Sequence, residues 1–135
     1  MKYLFILALA VFSSSCHQKL IKELQEKSYL KNEVEKPTLV MIGSPKCGFC
    51  NLAKKTINTY VGHENVSLLF VEFEESKIDT LPNGLLVGAN NLDDFNYKFF
   101  PQFILLEPHS NKLKHVKGWD RKRKSVIVDF LERKD

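Results

Sequence analysis

The sequence predicts an α/β fold in which a mixed central sheet is flanked by helices. A strand-helix-strand unit occupies residues 38–73, a strand with a hairpin partner occupies residues 103–117, and a helix follows them. The 135 residues, 44% hydrophobic and 27% charged, suit one ordinary globular domain with a short accessory segment. We therefore expect the domain at residues 37–135, after two segments of different character at 1–15 and 16–36.

The first segment has the pattern of a signal peptide. Met1 and Lys2 form a short positive region, and an uninterrupted apolar run extends from Tyr3 to Phe12. A helix needs roughly 20 apolar residues to cross a bilayer, so this shorter run predicts a signal peptide over residues 1–15 and not a permanent membrane span.

Cys16 follows three serines, in a pattern that resembles the processing site of bacterial lipoproteins, although Ser13 replaces the usual leucine-like residue. A lipid on Cys16 would remove the odd thiol of a chain with three cysteines. We expect this lipid to anchor the protein to a membrane of the cell envelope, on the periplasmic side. The alternative is an ordinary secretory signal cleaved near Ser15, which leaves Cys16 as a free or paired thiol in a secreted or periplasmic protein.

Residues 16–36 are dominated by Lys, Glu and Gln with a thin apolar stripe, and they predict a lipid-anchored tether or surface helix that ends at Pro37. The β-branched and apolar run Thr38–Ile42 predicts a buried strand. Asn51–Tyr60 predicts a helix with Cys50 on its core-facing side, and Val66–Phe73 returns to strand composition.

Turn residues predict a long loop over residues 76–91, with a short extended piece at Leu85–Val87. A brief helix is expected over Leu92–Lys98, capped by Asn90 or Asn91.

The last part of the chain predicts a strand at Phe103–Leu106, a turn, and a hairpin partner at Leu113–Lys117. The terminal helix is expected over Asp120–Arg133, with Asp120 as its cap and apolar residues at helical spacing.

The cysteines of Cys47-Gly48-Phe49-Cys50 lie between a predicted strand and a predicted helix, where their sulfurs can reach bonding distance. At the helix start, unsatisfied N–H groups and the helix dipole favour the thiolate of Cys47, and Lys46 adds a cation. Thiols of such motifs have pKa values of about 3.5 to 7.5, against about 8.5 for a free thiol. Cys47 is the expected nucleophile, Cys50 the core-facing resolving thiol, and Phe49 a contact for flexible clients.

Two other roles of the cysteine pair stay open. A zinc or copper site would need further ligands besides the two cysteines. The sequence has no second C-x-x-C, and its histidines form no H-x-x-x-H motif; they are His17, His63, His109 and His115. A structural disulfide would close a very short loop and stabilise little. We expect neither a metal nor a cofactor.

Over roughly residues 37–133 this pattern resembles the thioredoxin superfamily, with Phe100-Pro101 placed before the later strand. In that family the proline at the Pro101 position has a cis peptide bond and lies beside the cysteine pair, and the residue before it offers backbone hydrogen bonds to the client. The resemblance gives Phe100 and Pro101 these roles. Without it, trans is the expected state of an X-Pro bond.

Three positions depart from thioredoxin itself. Lys46 replaces the usual tryptophan before the first cysteine, and Phe49 replaces the proline between the cysteines, which looks more like the envelope thiol-disulfide proteins. Met41 stands where thioredoxin keeps a buried acid that helps to deprotonate the second cysteine. Glu72 and Glu74 are alternative acceptors, although as strand residues both are expected to be solvated.

The resemblance implies an extracytoplasmic thiol-disulfide oxidoreductase whose partners are client proteins with thiols or disulfides and a membrane or soluble redox partner. Reduction of client disulfides is the first expectation, and oxidase or isomerase activity is the second. A metal-binding or client-binding module without activity is the third. The formal net charge of +4 is spread along the chain, so nucleic acid is not an expected partner.

Overall fold

The computed structural model describes residues 15–59, 65–110 and 112–132, except for the side chains of Ser15 and Cys16. The predicted signal peptide therefore lies outside the described residues up to position 14. The helices in the described part are α1 (Ser15–Glu26), α2 (Gly48–Thr59) and α3 (Arg121–Leu131). The strands there are β1 (Thr38–Gly43), β2 (Ser67–Glu72), β3 (Ile78–Leu81), β4 (Gly84–Gly88), β5 (Gln102–Leu106) and β6 (Leu113–Lys117).

The strands form one mixed sheet in the order β3-β4-β2-β1-β5-β6, which confirms the predicted fold class. Strands β1, β2 and β4 run parallel, whereas β5 is antiparallel to β1 and β6 is antiparallel to β5. All six residues of β1 are buried because the sheet is covered on both faces. Leu39 and Met41 pack in the core beneath α2 and α3, and Val40 and Ile42 pack in the core beneath α1.

Helix α1 corrects the prediction of a tether or surface helix at residues 16–36. The helix forms, but Leu20 and Leu24 are fully buried against the sheet, and the Glu23 side chain is buried with them. Because it covers one face of the sheet, this segment is a layer of the fold, and the packed structure begins well before residue 37. Within the described residues, no helix is long and apolar enough to span a bilayer.

The segment predicted as a long loop at residues 76–91 is instead a hairpin of β3 and β4, followed by a short 3₁₀ helix at Ala89–Asn91. Only the extended piece at Leu85–Val87 was predicted correctly, since it lies within β4. The turn residues close the hairpin, because Leu81 pairs with Gly84. Three of the four β3 residues are exposed, so this edge strand lacks the apolar pattern of a buried one.

The helix predicted over Leu92–Lys98 does not form, and that prediction was wrong. The backbone N–H groups of Asp93 and Asp94 donate to the carboxylate of Glu23 on α1. Leu92 and Tyr97 are buried against the sheet in an irregular conformation. Contacts with α1 and the sheet thus hold this segment in an irregular conformation.

The end of the chain follows the prediction. Strands β5 and β6 form the expected hairpin, and α3 begins after Asp120, whose side chain accepts a hydrogen bond from the N–H of Arg123 at 2.8 Å. This backbone hydrogen bond is the main cause that lowers the pKa of Asp120. The cap therefore anchors α3 beside the end of β6.

Candidate active site

Two segments meet at one end of the sheet because β1 and β5 are antiparallel neighbours. Ile42, near the end of β1, pairs with Gln102 at the start of β5. The loop that leaves β1 carries the cysteine motif, and the loop that enters β5 carries Phe100-Pro101. The strand register thus brings the two predicted site segments together.

Cys47 and Cys50 form a disulfide at the start of α2, with their Cα atoms 5.1 Å apart. The N–H of Cys50 donates to Cys47 Sγ over 3.1 Å, and the N–H of Cys47 donates to Ser44 O over 3.1 Å. Cys50 is completely buried, whereas Cys47 is only half-buried. Backbone donation and access to solvent both single out Cys47 as the sulfur that an incoming group can reach.

The Phe100-Pro101 peptide bond is cis, as the family resemblance implied and against the general expectation for an X-Pro bond. The carbonyl oxygen of Phe100 lies 3.6 Å from Cys47 Sγ, and Pro101 is buried behind it. The N–H of Gly118, a residue with φ of 94°, donates to Pro101 O and fixes the loop from the other side. The carbonyl of Phe100 therefore lies beside Cys47 Sγ, and Pro101 follows it in the chain.

Two aromatic side chains of the site segments are exposed, one between the two cysteines and one directly before Phe100. Phe49 is 60% exposed and Phe99 is 64% exposed, with the amine of Lys117 4.2 Å from the centre of the Phe99 ring. The ring of Phe100 packs inward, 5.3 Å from that of Phe73. Sequence reasoning missed Phe99, since nothing in the run of aromatic residues indicates which ring faces solvent. Lys46 is exposed beside the motif.

Glu72 corrects the expectation of a solvated strand residue. Its side chain is only 6% exposed and forms an ion pair with Lys54 of α2, whereas Glu74 is exposed as expected. Desolvation lowers the pKa of Lys54, with Lys77 adding to this effect and Glu75 opposing it. The position of Lys54 could have indicated this ion pair, because Lys54 follows Cys50 by four residues and so lies on the same face of α2.

A polar network ties α1 to the cis-proline loop. The rings of His17 and His115 stack with centroids 3.9 Å apart, and His17 Nδ1 lies 3.0 Å from the hydroxyl oxygen of Tyr97. His115 Nε2 lies 2.7 Å from Gln102 Oε1, and the amide of Gln102 donates to Phe99 O over 2.9 Å. Burial lowers the pKa of both histidines.

Potential metal ligands do not converge on the cysteine pair. Across residues 15–59, 65–110 and 112–132, no three His, Cys, Asp or Glu side chains are placed to hold a metal ion together. His63 and the side chain of Cys16 lie outside the described part, although the backbone of Cys16 belongs to the first turn of α1.

The family model for TraF, the F plasmid transfer operon protein, matches residues 14–117. No curated protein matches the sequence at a significant level.

Several solved structures share the fold at low sequence identity. A candidate thiol:disulfide interchange protein of the DsbE type from Chlorobium tepidum is 10% identical over 73% of this chain and 79% of that one, with a TM-score of 0.54. A secreted Mycobacterium tuberculosis disulfide oxidoreductase homologous to E. coli DsbE is 11% identical over 78% of this chain and 84% of that one, with a TM-score of 0.52. DsbF of the same organism is 13% identical over 73% and 80%, with a TM-score of 0.50. These matches establish the thioredoxin fold.

Proposed function

Because this chain belongs to the TraF family and has the thioredoxin fold, we propose that it is an extracytoplasmic thiol-disulfide oxidoreductase. The observation that carries the proposal is the arrangement of a half-buried Cys47, a completely buried Cys50 and the carbonyl of Phe100 next to a cis proline. This arrangement gives one sulfur access to a client and keeps the other for an internal reaction.

The reaction divides into two exchanges. The Cys47 thiolate attacks a client disulfide, one client sulfur becomes bonded to Cys47, and the other leaves as a thiol. Cys50 then attacks Cys47, so that the second client sulfur leaves and the Cys47–Cys50 disulfide remains. Phe100 supplies a carbonyl acceptor to the client backbone, and Phe49 supplies an apolar contact. We assign reduction of clients as the main direction, with a membrane or soluble redox partner that reduces the pair again.

The structural neighbours include a secreted disulfide oxidoreductase and a DsbE-type protein, which supports an extracytoplasmic location for this chain. We propose in addition that residues 1–15 are removed as a signal peptide and that Cys16 carries the lipid anchor. Since α1 begins at Ser15, such an anchor would attach directly to a packed helix of the domain.

Replacing Cys50 by alanine is expected to trap clients on Cys47, because the mixed disulfide then has no internal thiol to resolve it. The measurement is a non-reducing gel of cells expressing the full chain, followed by mass spectrometry of adducts that dithiothreitol releases. The matched Cys47→Ala variant should trap none, since Cys50 is completely buried. Adducts on Cys50 in the Cys47→Ala variant, with none in Cys50→Ala, would reverse the assigned roles.

A further inference from the structure

The buried Glu72–Lys54 ion pair has no part in the two exchanges as described so far. We propose that Glu72 accepts the proton of Cys50 when this thiol resolves the mixed disulfide. This role rests on the oxidoreductase function proposed above. It supplies a proton acceptor to a chain that has Met41 at the position where thioredoxin has a buried acid.

The strand register places Glu72 next to the resolving cysteine. Glu72 on β2 pairs with Gly43 on β1, at the spacing of neighbouring strands, about 4.8 Å. A Cβ atom built on Gly43 would lie 3.3 Å from Cys50 Sγ, so this sulfur lies over Gly43 on the α2 face of the sheet. Paired residues of neighbouring strands direct their side chains to the same face, so the Glu72 side chain begins one strand away from the sulfur.

The ion pair places the carboxylate near α2. Lys54 follows Cys50 by four residues, which puts both side chains on the same side of the helix. Since Lys54 Nζ contacts Glu72 Oε1, the carboxylate reaches the row of α2 that carries Cys50.

Cys50 needs such an acceptor because its surroundings are apolar. It belongs to the same core cluster as Met41, Ala53 and Phe70, and burial among such side chains disfavours a thiolate. Only two carboxylates are buried within the described residues, and the other, Glu23, lies on α1 at the opposite face. Glu72 is therefore the buried base on the correct side of the sheet.

The carboxylate has capacity for a proton and a route to release it. Apart from Lys54, the described residues offer Glu72 Oε1 no hydrogen-bond donor. The Lys54 side chain is 23% exposed against 6% for Glu72, so the Lys54 ammonium can release a proton to solvent and then take the proton held by Glu72. The other charged groups that act at this position are Lys77 and Glu75, from the segment after β2.

The step begins with a client sulfur bonded to Cys47. Cys50 gives its proton to Glu72, directly or through one water, and the sulfur electron pair forms the bond to Cys47 Sγ. The bond between Cys47 and the client sulfur breaks, and its electron pair leaves with the client, which takes a proton from solvent. Glu72 then returns its proton to solvent, so the client disulfide has gained two electrons and the cysteine pair has lost two.

The test is the reaction of the fully reduced full chain with Ellman's reagent, which is monitored by stopped-flow absorbance from pH 6 to pH 10. All variants carry Cys16→Ser, so that two thiols remain. The first release of thionitrobenzoate reports the attack by Cys47, and the second, independent of reagent concentration, reports resolution by Cys50. The variants are Glu72→Gln, the double variant Glu72→Gln with Lys54→Gln, and the matched exposed control Glu74→Gln.

We expect both Glu72 variants to slow the second release about tenfold or more at pH 7, with the difference closing at the highest pH, where hydroxide replaces the base. Glu74→Gln should match the parent at every pH. The double variant leaves no unpaired lysine, so it keeps the test valid if Glu72→Gln alone folds poorly. An unchanged second release in the double variant, or one slowed equally at all pH values, overturns the proposal. Absence of any second release in the parent would instead overturn the oxidoreductase function itself.

Discussion

Replacing Cys47 by serine is expected to lower the rate of disulfide exchange at least about a thousandfold, as loss of a nucleophile does in other enzymes. The hydroxyl of serine does not ionise near neutral pH, and Cys50, with no exposed surface, cannot take its place. The measurement is the rate at which the purified full chain reduces a fluorescent peptide disulfide under excess dithiol.

The matched control for this prediction is Cys16→Ser, which makes the same substitution at the remaining cysteine of the chain. It should leave the exchange rate of the purified chain unchanged, because the proposed lipid attachment has no part in the chemistry. Exchange that survives in Cys47→Ser would exclude Cys47 as the nucleophile, and an equal fall in Cys16→Ser would show that the loss is not specific to Cys47.

Replacing Gly84 by alanine is expected to cost about 3 kcal/mol of unfolding free energy, the upper part of the range for overpacking. A Cβ atom at this position would lie 1.7 Å from the backbone oxygen of Leu68, the residue with which Gly84 pairs on β2. Since the obstacle is backbone, strand β4 has to move away from β2. In a domain of this size, such a loss lowers the melting temperature by roughly 10 to 20 °C.

Gly48→Ala is the matched control for Gly84→Ala. A Cβ atom at Gly48 meets nothing within 4 Å, and the residue begins α2, so alanine there should leave stability unchanged or raise it by up to about 1 kcal/mol. Thermal unfolding of the oxidised proteins compares the two variants. Equal melting temperatures would show that β4 does not lie as close to β2 as described.

The centre of the fold could be predicted from the sequence because its signals are local. The apolar run of β1, the helical spacing after Cys50 and the turn between β5 and β6 each specify an element without help from distant residues. The position of Pro101 beside the cysteine pair required the family resemblance, since neither the cis bond nor the antiparallel pairing of β1 with β5 has a local signature.

The errors share a physical cause, which is that distant contacts decided the conformation. Helix α1 has only a thin apolar stripe, but Leu20 and Leu24 are enough to seat it on the sheet. Its Glu23 then accepts hydrogen bonds from the N–H groups of Asp93 and Asp94, in the segment where a helix was predicted at residues 92–98. Glu72 was expected to be solvated because acidic strand residues usually are, and only the packing of α2 over β2 buries it with Lys54.

We expect Cys47 and Cys50 to be a redox couple in equilibrium with other thiols. The test is to equilibrate the purified chain in glutathione buffers of graded ratio and to count reduced Cys47 and Cys50 by alkylation and mass spectrometry. We predict one reversible two-electron transition between about −270 mV and −120 mV, near the negative end if the protein reduces its clients. A pair that stays a disulfide at every glutathione ratio, or a reduced chain that retains stoichiometric metal lost in Cys47→Ser, would contradict this account.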